Sequence, residues 1–253
     1  MTLFCEYCQP GPNGEIAIDI AFQPVFDTKS RKPRAYEALV RGPNGESAAN
    51  VLARVGENER HRFEQQVRVL AIEKAAALGI VETNAALSIN INPRAVIETD
   101  PRCLGHTIAA AARVGLDNRR IVFELTEGSK LDVAHARVIV DTYASHGFRT
   151  ALDDFGDGYA GLVTLADVPT DFVKLDIGLV RGIDISTERQ TIVAGVSAML
   201  KALGRRVVAE GIETAAELAV VKALGIEMVQ GFYLGRPSRT ELQREPYGLA
   251  QVA

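Results

Sequence analysis

Five carboxylates, Glu37, Glu124, Asp153, Asp154 and Glu210, stand at or near the ends of segments rich in β-branched and apolar residues, and Asn90, Lys174 and Gln230 hold comparable positions. Acidic groups gathered in one place repel: two carboxylates about 4 Å apart cost roughly 4 kcal/mol at an effective dielectric near 20. Lys174 and Arg41 supply too little positive charge to offset five acids. Two hard divalent cations with oxygen ligands suit this donor set, and no His or Cys stands at these segment ends to suggest zinc. Such a pair of ions, about 3.5–4 Å apart, can clamp a phosphodiester and activate water for attack. Asp153 and Asp154, adjacent before the loop Phe155-Gly156-Asp157-Gly158, offer carboxylates able to bridge two ions. The chemistry these residues point to is phosphoester hydrolysis.

Each residue also has a plainer explanation. A lone acid at a strand end is more often a helix cap or a surface charge. Asn90 and Asn92 before Pro93 fit an asparagine-rich turn, and Glu210-Gly211 and Gln230-Gly231 fit ordinary turns. Lys174 could pair with Asp176 as a structural ion pair. Core packing nevertheless does not explain polar groups on seven strands in one layer, because unpaired buried charges cost about several kcal/mol each.

Eight apolar, β-rich stretches would have to position these residues, at about 17–25, 34–40, 87–91, 120–125, 149–153, 171–176, 206–209 and 227–231. Helical patterns separate most of them. Ala136, Ile139, Val140 and Tyr143 repeat at helical spacing, as do Ile192, Val193, Val196, Met199, Leu200 and Leu203. Thr214 and Glu217 have capping-box spacing ahead of Leu218, Val221 and Leu224, with Gly225 as the stop. Alternation of this kind predicts a TIM-like (β/α)8 barrel, an α/β fold whose chemistry sits at the C-terminal strand ends. The connection Asp27 to Pro33 is too short for a parallel crossover, so the first two strands are expected as a hairpin, the first antiparallel to the rest. Residues 42–58 read as loop plus short helix, and little pattern follows Ser238. We assign 1–15 as an N-terminal extension, 16–240 as the barrel and 241–253 as a C-terminal tail.

The 253 residues carry 47% hydrophobic and 24% charged side chains and a net charge of −4, a globular composition that argues against a nucleic-acid polymer as partner. No apolar run is long enough for a membrane span and no signal-peptide layout opens the chain, so a cytoplasmic location is expected. Cys5 and Cys8 form an isolated C-x-x-C and Cys103 is a distant thiol, which does not make a disulfide framework or complete a zinc site.

With these residues in view, the chain resembles the EAL-domain cyclic di-GMP phosphodiesterases from about Ala21 to Pro237. The resemblance is carried by Glu37-Ala38-Leu39-Val40-Arg41, Glu124-Leu125-Thr126-Glu127, Asp153-Asp154-Phe155-Gly156, Lys174-Leu175-Asp176, Glu210-Gly211-Ile212-Glu213 and Gln230-Gly231-Phe232. It implies a barrel with a reversed first strand and two divalent cations, Mg2+ or Mn2+. Glu37, Asn90, Glu124 and Asp153 would hold one ion, and Asp153, Asp154 and Glu210 would hold or orient the other. Lys174 and Gln230 would position the attacking water and Glu127 would brace the loop after Asp154. Arg41 would contact a substrate phosphate, Gln23 and Leu39 would line the nucleotide site, and Glu213 reads as structural.

Two residues depart from the common pattern, Asn92 in place of Ser and Asp157 in place of Thr, and neither removes a ligand. The expected activity is conversion of cyclic di-GMP to linear pGpG. The alternative is a catalytically inactive cyclic di-GMP receptor or protein-interaction module on the same fold, a class that typically loses ligands. The resemblance also allows a homodimer formed through helices near the Asp153-Asp154 loop.

Overall fold

The computed structural model describes residues 16–93, 104–125, 132–157 and 161–247. Eight strands close into one barrel in sequence order: β1 (Asp19–Asp27), β2 (Pro33–Arg41), β3 (Ala86–Ile91), β4 (Ile121–Leu125), β5 (Arg149–Phe155), β6 (Phe172–Leu175), β7 (Arg206–Ala209) and β8 (Met228–Val229). β1 runs antiparallel to both neighbours and all other pairs are parallel. The expected hairpin is therefore present. Its turn is held by the Asp27 carboxylate, which accepts from the backbone N–H of Lys29 (2.9 Å) and Ser30 (2.7 Å).

The helices are α1 (Ala48–Leu52), α2 (Arg60–Ala77), α3 (Gly105–Val114), α4 (Val133–Ser145), α5 (Leu162–Asp167), α6 (Ile177–Val180), α7 (Thr187–Ala202) and α8 (Ala215–Ala223). Helix α4 buries Ala136, Ile139, Val140 and Tyr143, the stripe its spacing predicts. The capping box of α8 forms, with Glu217 N–H donating to Thr214 Oγ1 and Thr214 N–H donating to the Glu217 carboxylate. In α7 the stripe is only partly correct. Val193 and Leu200 are buried, but Ile192 and Leu203 face solvent, because the helix packs on a narrower face through Val193, Ser197 and Leu200.

Two apolar shells lie between barrel and helices, one over β1–β4 and one mainly over β5–β8. A third, smaller cluster fills the barrel itself: Val25, Ala86, Val122, Ala151, Phe172, Val208 and Met228, with Ala35 packed against them. Each strand contributes one residue to this plug, as inward-facing alternation requires. Because β8 is two residues long, the upper half of β1 lacks a partner on that side, and Ser238 supplies one by exchanging backbone hydrogen bonds with Phe22 (2.7 and 3.0 Å). The chain beyond it also packs, with Leu242 and Gln243 buried and Tyr36 Oη donating to the Gln243 carbonyl (3.1 Å).

Candidate metal centre

Two residues along each strand from the apolar plug, the barrel interior becomes polar. The step leads from Val25 to Gln23 on reversed β1, from Ala35 to Glu37, Ala86 to Ser88, Val122 to Glu124, Ala151 to Asp153 and Phe172 to Lys174, then to Glu210 and Gln230 just past β7 and β8. Since side chains two apart share a face, the floor of the barrel and the ring above it follow from one alternation.

Lys174 is the hub. The residue is 2% exposed, and its ammonium lies 2.6 Å from Glu210 Oε1, 2.8 Å from Glu124 Oε2, 3.0 Å from Asp153 Oδ1 and 3.5 Å from Glu37 Oε2. The Asp153 contact has ion-pair distance without hydrogen-bond alignment. Asp176, the alternative partner, instead caps α6 by accepting from Gly178 N–H (2.6 Å). Two amides complete the ring: Asn90 Nδ2 donates to Glu37 Oε1 (2.8 Å) and Gln230 Nε2 donates to Glu37 Oε2 (2.7 Å). Gly231 follows Gln230 because a side-chain carbon there would lie 2.1 Å from the Ile212 carbonyl oxygen.

Asp153 and Asp154 pose a geometric problem, since neighbours on a regular strand point to opposite faces. β5 solves it with a bulge: the register with β6 slips by one residue between Leu152 and Phe155, and Asp154 takes φ +53°. The carboxylates of Asp153, Asp154 and Glu210 can then present oxygens all within 4.8 Å of one another. An L residue in this conformation is strained, a cost the closed barrel around it sustains and one that clusters at functional sites.

The electrostatics show a site short of positive charge. Burial pushes Glu124 up to about 8 despite Lys174, with Glu37 and Asp153 adding to the rise. Burial and then the Asp153 charge push Asp154 up to about 6, Asp176 and Asp157 contributing further. Burial likewise holds Glu210 well above the usual carboxylate range. Burial opposes ionisation of Glu37 as well, but Lys174 and the two amides outweigh it and keep its pKa lowered. Lys174 is buried yet firmly protonated, because Asp153, Glu124, Glu210 and Glu37 surround it. The buried carbonyl oxygens of Asn90 and Gln230 have no hydrogen-bond partner. Raised carboxylates and free amide oxygens around one lysine fit divalent cations with oxygen ligands.

The structure thus brings together Glu37, Asn90, Glu124, Asp153, Asp154, Lys174, Glu210 and Gln230. Leu39 and Arg41 follow Glu37 at two-residue steps along β2, and Arg41 Nη1 donates to the Val40 carbonyl (2.7 Å). Gln23, opposite Glu37 in the β1–β2 register, donates from Nε2 to the Gly235 carbonyl (3.1 Å). Glu213 forms a partly exposed ion pair with Arg181. Glu127, Cys5, Cys8 and Cys103 lie outside the described residues. Ser88, buried in the ring layer, was not singled out from sequence, although its place two residues after Ala86 marks it. No helix among the described residues is long and apolar enough to cross a membrane.

A sequence model described as "EAL domain" matches residues 14–237. Among solved structures, a standalone versatile EAL protein from Vibrio cholerae O395 in its c-di-GMP-bound form is 40% identical, with a TM-score of 0.88 over 94% of this chain and 99% of that one. The manganese/cy-diGMP complex of Klebsiella pneumoniae BlrP1 at pH 6 is 30% identical, with a TM-score of 0.84 over 94% of this chain and 59% of that one. The probable cyclic di-GMP phosphodiesterase PdeN of Escherichia coli K12 is 28% identical over 86% of this chain and 43% of its own length. The chain spans 19% to 43% of the length of four curated relatives.

Proposed function

The chain belongs to the EAL domain family of cyclic di-GMP phosphodiesterases, and from that premise we propose that it hydrolyses cyclic di-GMP to linear pGpG with two divalent cations, Mg2+ or Mn2+. The observation that carries this reading is the convergence of Glu37, Glu124, Asp153 and Glu210 on Lys174, with Asp154 turned to the same site by the bulge.

Glu37, Asn90, Glu124 and Asp153 would hold one cation and Asp153, Asp154 and Glu210 the other. The donation from Asn90 Nδ2 to Glu37 leaves the Asn90 carbonyl oxygen for a cation. The two ions, when bound, would supply polarisation of the phosphodiester and activation of a water. Lys174 keeps the ligand carboxylates together and, with Gln230, orients the attacking water by hydrogen bonding. Arg41, whose guanidinium now rests on its own strand, swings to a non-bridging phosphate oxygen, which its planar fork suits. Gln23 and Leu39 line the nucleotide, and Glu127 braces the loop after Asp154.

The test is hydrolysis by the purified chain with products resolved by anion exchange. The expected result is pGpG as first product in Mg2+ or Mn2+, with little turnover in Ca2+, whose longer bonds and higher coordination number spoil the spacing. Binding of cyclic di-GMP without turnover in either Mg2+ or Mn2+ would establish the receptor reading instead.

A further inference from the structure

The end of the barrel opposite the metal centre holds a cavity of about 450 Å3 whose basic mouth the hydrolytic reading leaves without a role. Its ceiling is the apolar plug, and its inner end reaches past the small side chains of Ala35, Ala86 and Ala151 to the underside of Ser88, Glu124 and Lys174. Its mouth is basic, lined by Arg34, Arg119, Arg120, Arg149 and Arg206 against Asp117 alone. These arginines stand at or near the N-terminal ends of β2, β4, β5 and β7, so strand order gathers them as it gathers the carboxylates at the other end.

Two of the five are already engaged. Arg119 forks onto Asp117 (Nη2 to Oδ2 2.6 Å), and Arg120 donates to the carbonyls of Ala85 (2.7 Å) and Ile80 (2.8 Å). Of the other three, only Arg34 has a carboxylate within ion-pair distance among the described residues. The Arg149 side chain has no hydrogen bond or ion pair among the described residues, Arg206 lies 4.0 Å over the Phe172 ring, and Arg34 Nε reaches Asp27 Oδ2 only at 3.9 Å. Asp171, the remaining nearby acid, accepts from Thr150 N–H. Burial, with Arg149 and Arg34 as like charges, lowers the pKa of Arg206, and Asp171 only partly offsets them.

We propose that this basal cavity is a binding site for a small phosphate monoester, its dianionic head between Arg149, Arg206 and Arg34 and an apolar body against Phe172, Val208 and Met228. Guanidinium forks match phosphate oxygens bidentately, and the volume lies within the roughly 300–1,000 Å3 of small-molecule sites. The phosphate head would sit at the opposite end of the barrel from the hydrolytic site, and the proposal stands whether or not the chain cleaves cyclic di-GMP.

The test is titration calorimetry of the full chain in Mg2+ at low salt with phenyl phosphate, which carries both a dianionic head and a compact ring. One site is expected, weakened about tenfold or more in the double variant Arg149→Gln/Arg206→Gln, since two charge-assisted contacts are lost. Arg41→Ala should leave it unchanged. Inorganic phosphate should bind more weakly and phenol not at all. Amide shifts in the wild type supply a readout independent of variant folding: they should move at Arg149, Phe172 and Arg206. Absence of binding up to about 10 mM overturns the proposal. So does binding that Arg41→Ala abolishes, or shifts confined to Arg41 and Asn90, since either would assign the phosphate to the metal centre.

Discussion

Replacing Lys174 with methionine keeps most of the side chain's volume and removes the one cation that four carboxylates share. Each contact near 3 Å is worth about 5 kcal/mol at an effective dielectric near 20, before desolvation. The net loss is smaller, because Glu124, pushed up to about 8, already tends to hold a proton at neutral pH and the orphaned acids would take up more. Breaking a buried ion pair typically costs about 3–5 kcal/mol, which for a chain of this size lowers Tm by about 6–20 °C.

The loss should depend on pH with a definite sign. A carboxyl whose folded pKa is raised binds protons more tightly folded than unfolded, so it withdraws stability as pH rises from its unfolded pKa towards its folded one. Removing Lys174 raises these values further. In EDTA, the Tm gap between wild type and Lys174→Met should therefore be wider at pH 8 than at pH 5, and saturating Mg2+ should narrow it. Differential scanning fluorimetry at the two pH values, with and without Mg2+, reads this directly. Equal Tm values in EDTA at pH 8 would refute the claim that Lys174 is the countercharge of the ring.

Glu124→Gln preserves volume but removes a charge from the cation shell, so turnover should fall by about a hundredfold or more, while cyclic di-GMP binding in Ca2+, measured by calorimetry, drops much less. Arg41→Ala should show the reverse emphasis, raising KM by about tenfold or more because a phosphate loses its bidentate partner. Asp154→Gly should leave Tm in EDTA unchanged or about 1 kcal/mol better in stability, since glycine accepts φ +53° without strain, yet abolish turnover; retained activity would mean that the bulge serves folding alone. Divalent-ion binding should release protons below about pH 8 and weaken as pH falls, because Glu124 near 8 and Asp154 near 6 must ionise to bind; calorimetry in buffers of different ionisation enthalpy would detect the protons.

Much of the barrel was legible because its signals are local. The seven-residue connection from Asp27 to Pro33 forces a hairpin, Thr214 and Glu217 announce a helix start, and every ring carboxylate but Glu37 sits at or just before the end of an apolar strand or just past it. What escaped notice depends on packing or on a break in register. The 18-residue helix α2 was not singled out, because its buried face includes His61, Gln65 and Arg68, so its polarity hides the stripe. In α7 the sequence shows six candidate apolar positions but not which of them face the barrel. The Asp153-Asp154 bulge has no signature beyond two adjacent acids, and Lys174 looked as able to pair with Asp176 as with the ring. Which partner it takes is decided across four strands, far from either residue in sequence.

The two-residue step between apolar plug and polar ring explains how one short barrel accommodates five acids near its centre. In each strand the apolar residue that secures folding and the polar residue of the ring share a face but occupy different layers. Ala35, Ala86 and Ala151 pack in one cluster with Phe172 and Met228, and none of the five belongs to an outer helix shell. Changes in the ring can therefore alter chemistry without emptying the core. A one-residue slip in a strand, by contrast, would exchange the two faces outright: in β4 it would drive Phe123 into the ring and Glu124 against Tyr143 and Phe148, where Phe123 now packs edge-on at 4.6 and 5.2 Å. That penalty, an unpaired carboxylate inside an aromatic cluster, pins the register. The same register that secures the fold thus sets every ring residue to its height at the centre, and in β5, where two adjacent acids must both arrive, it is broken by the bulge.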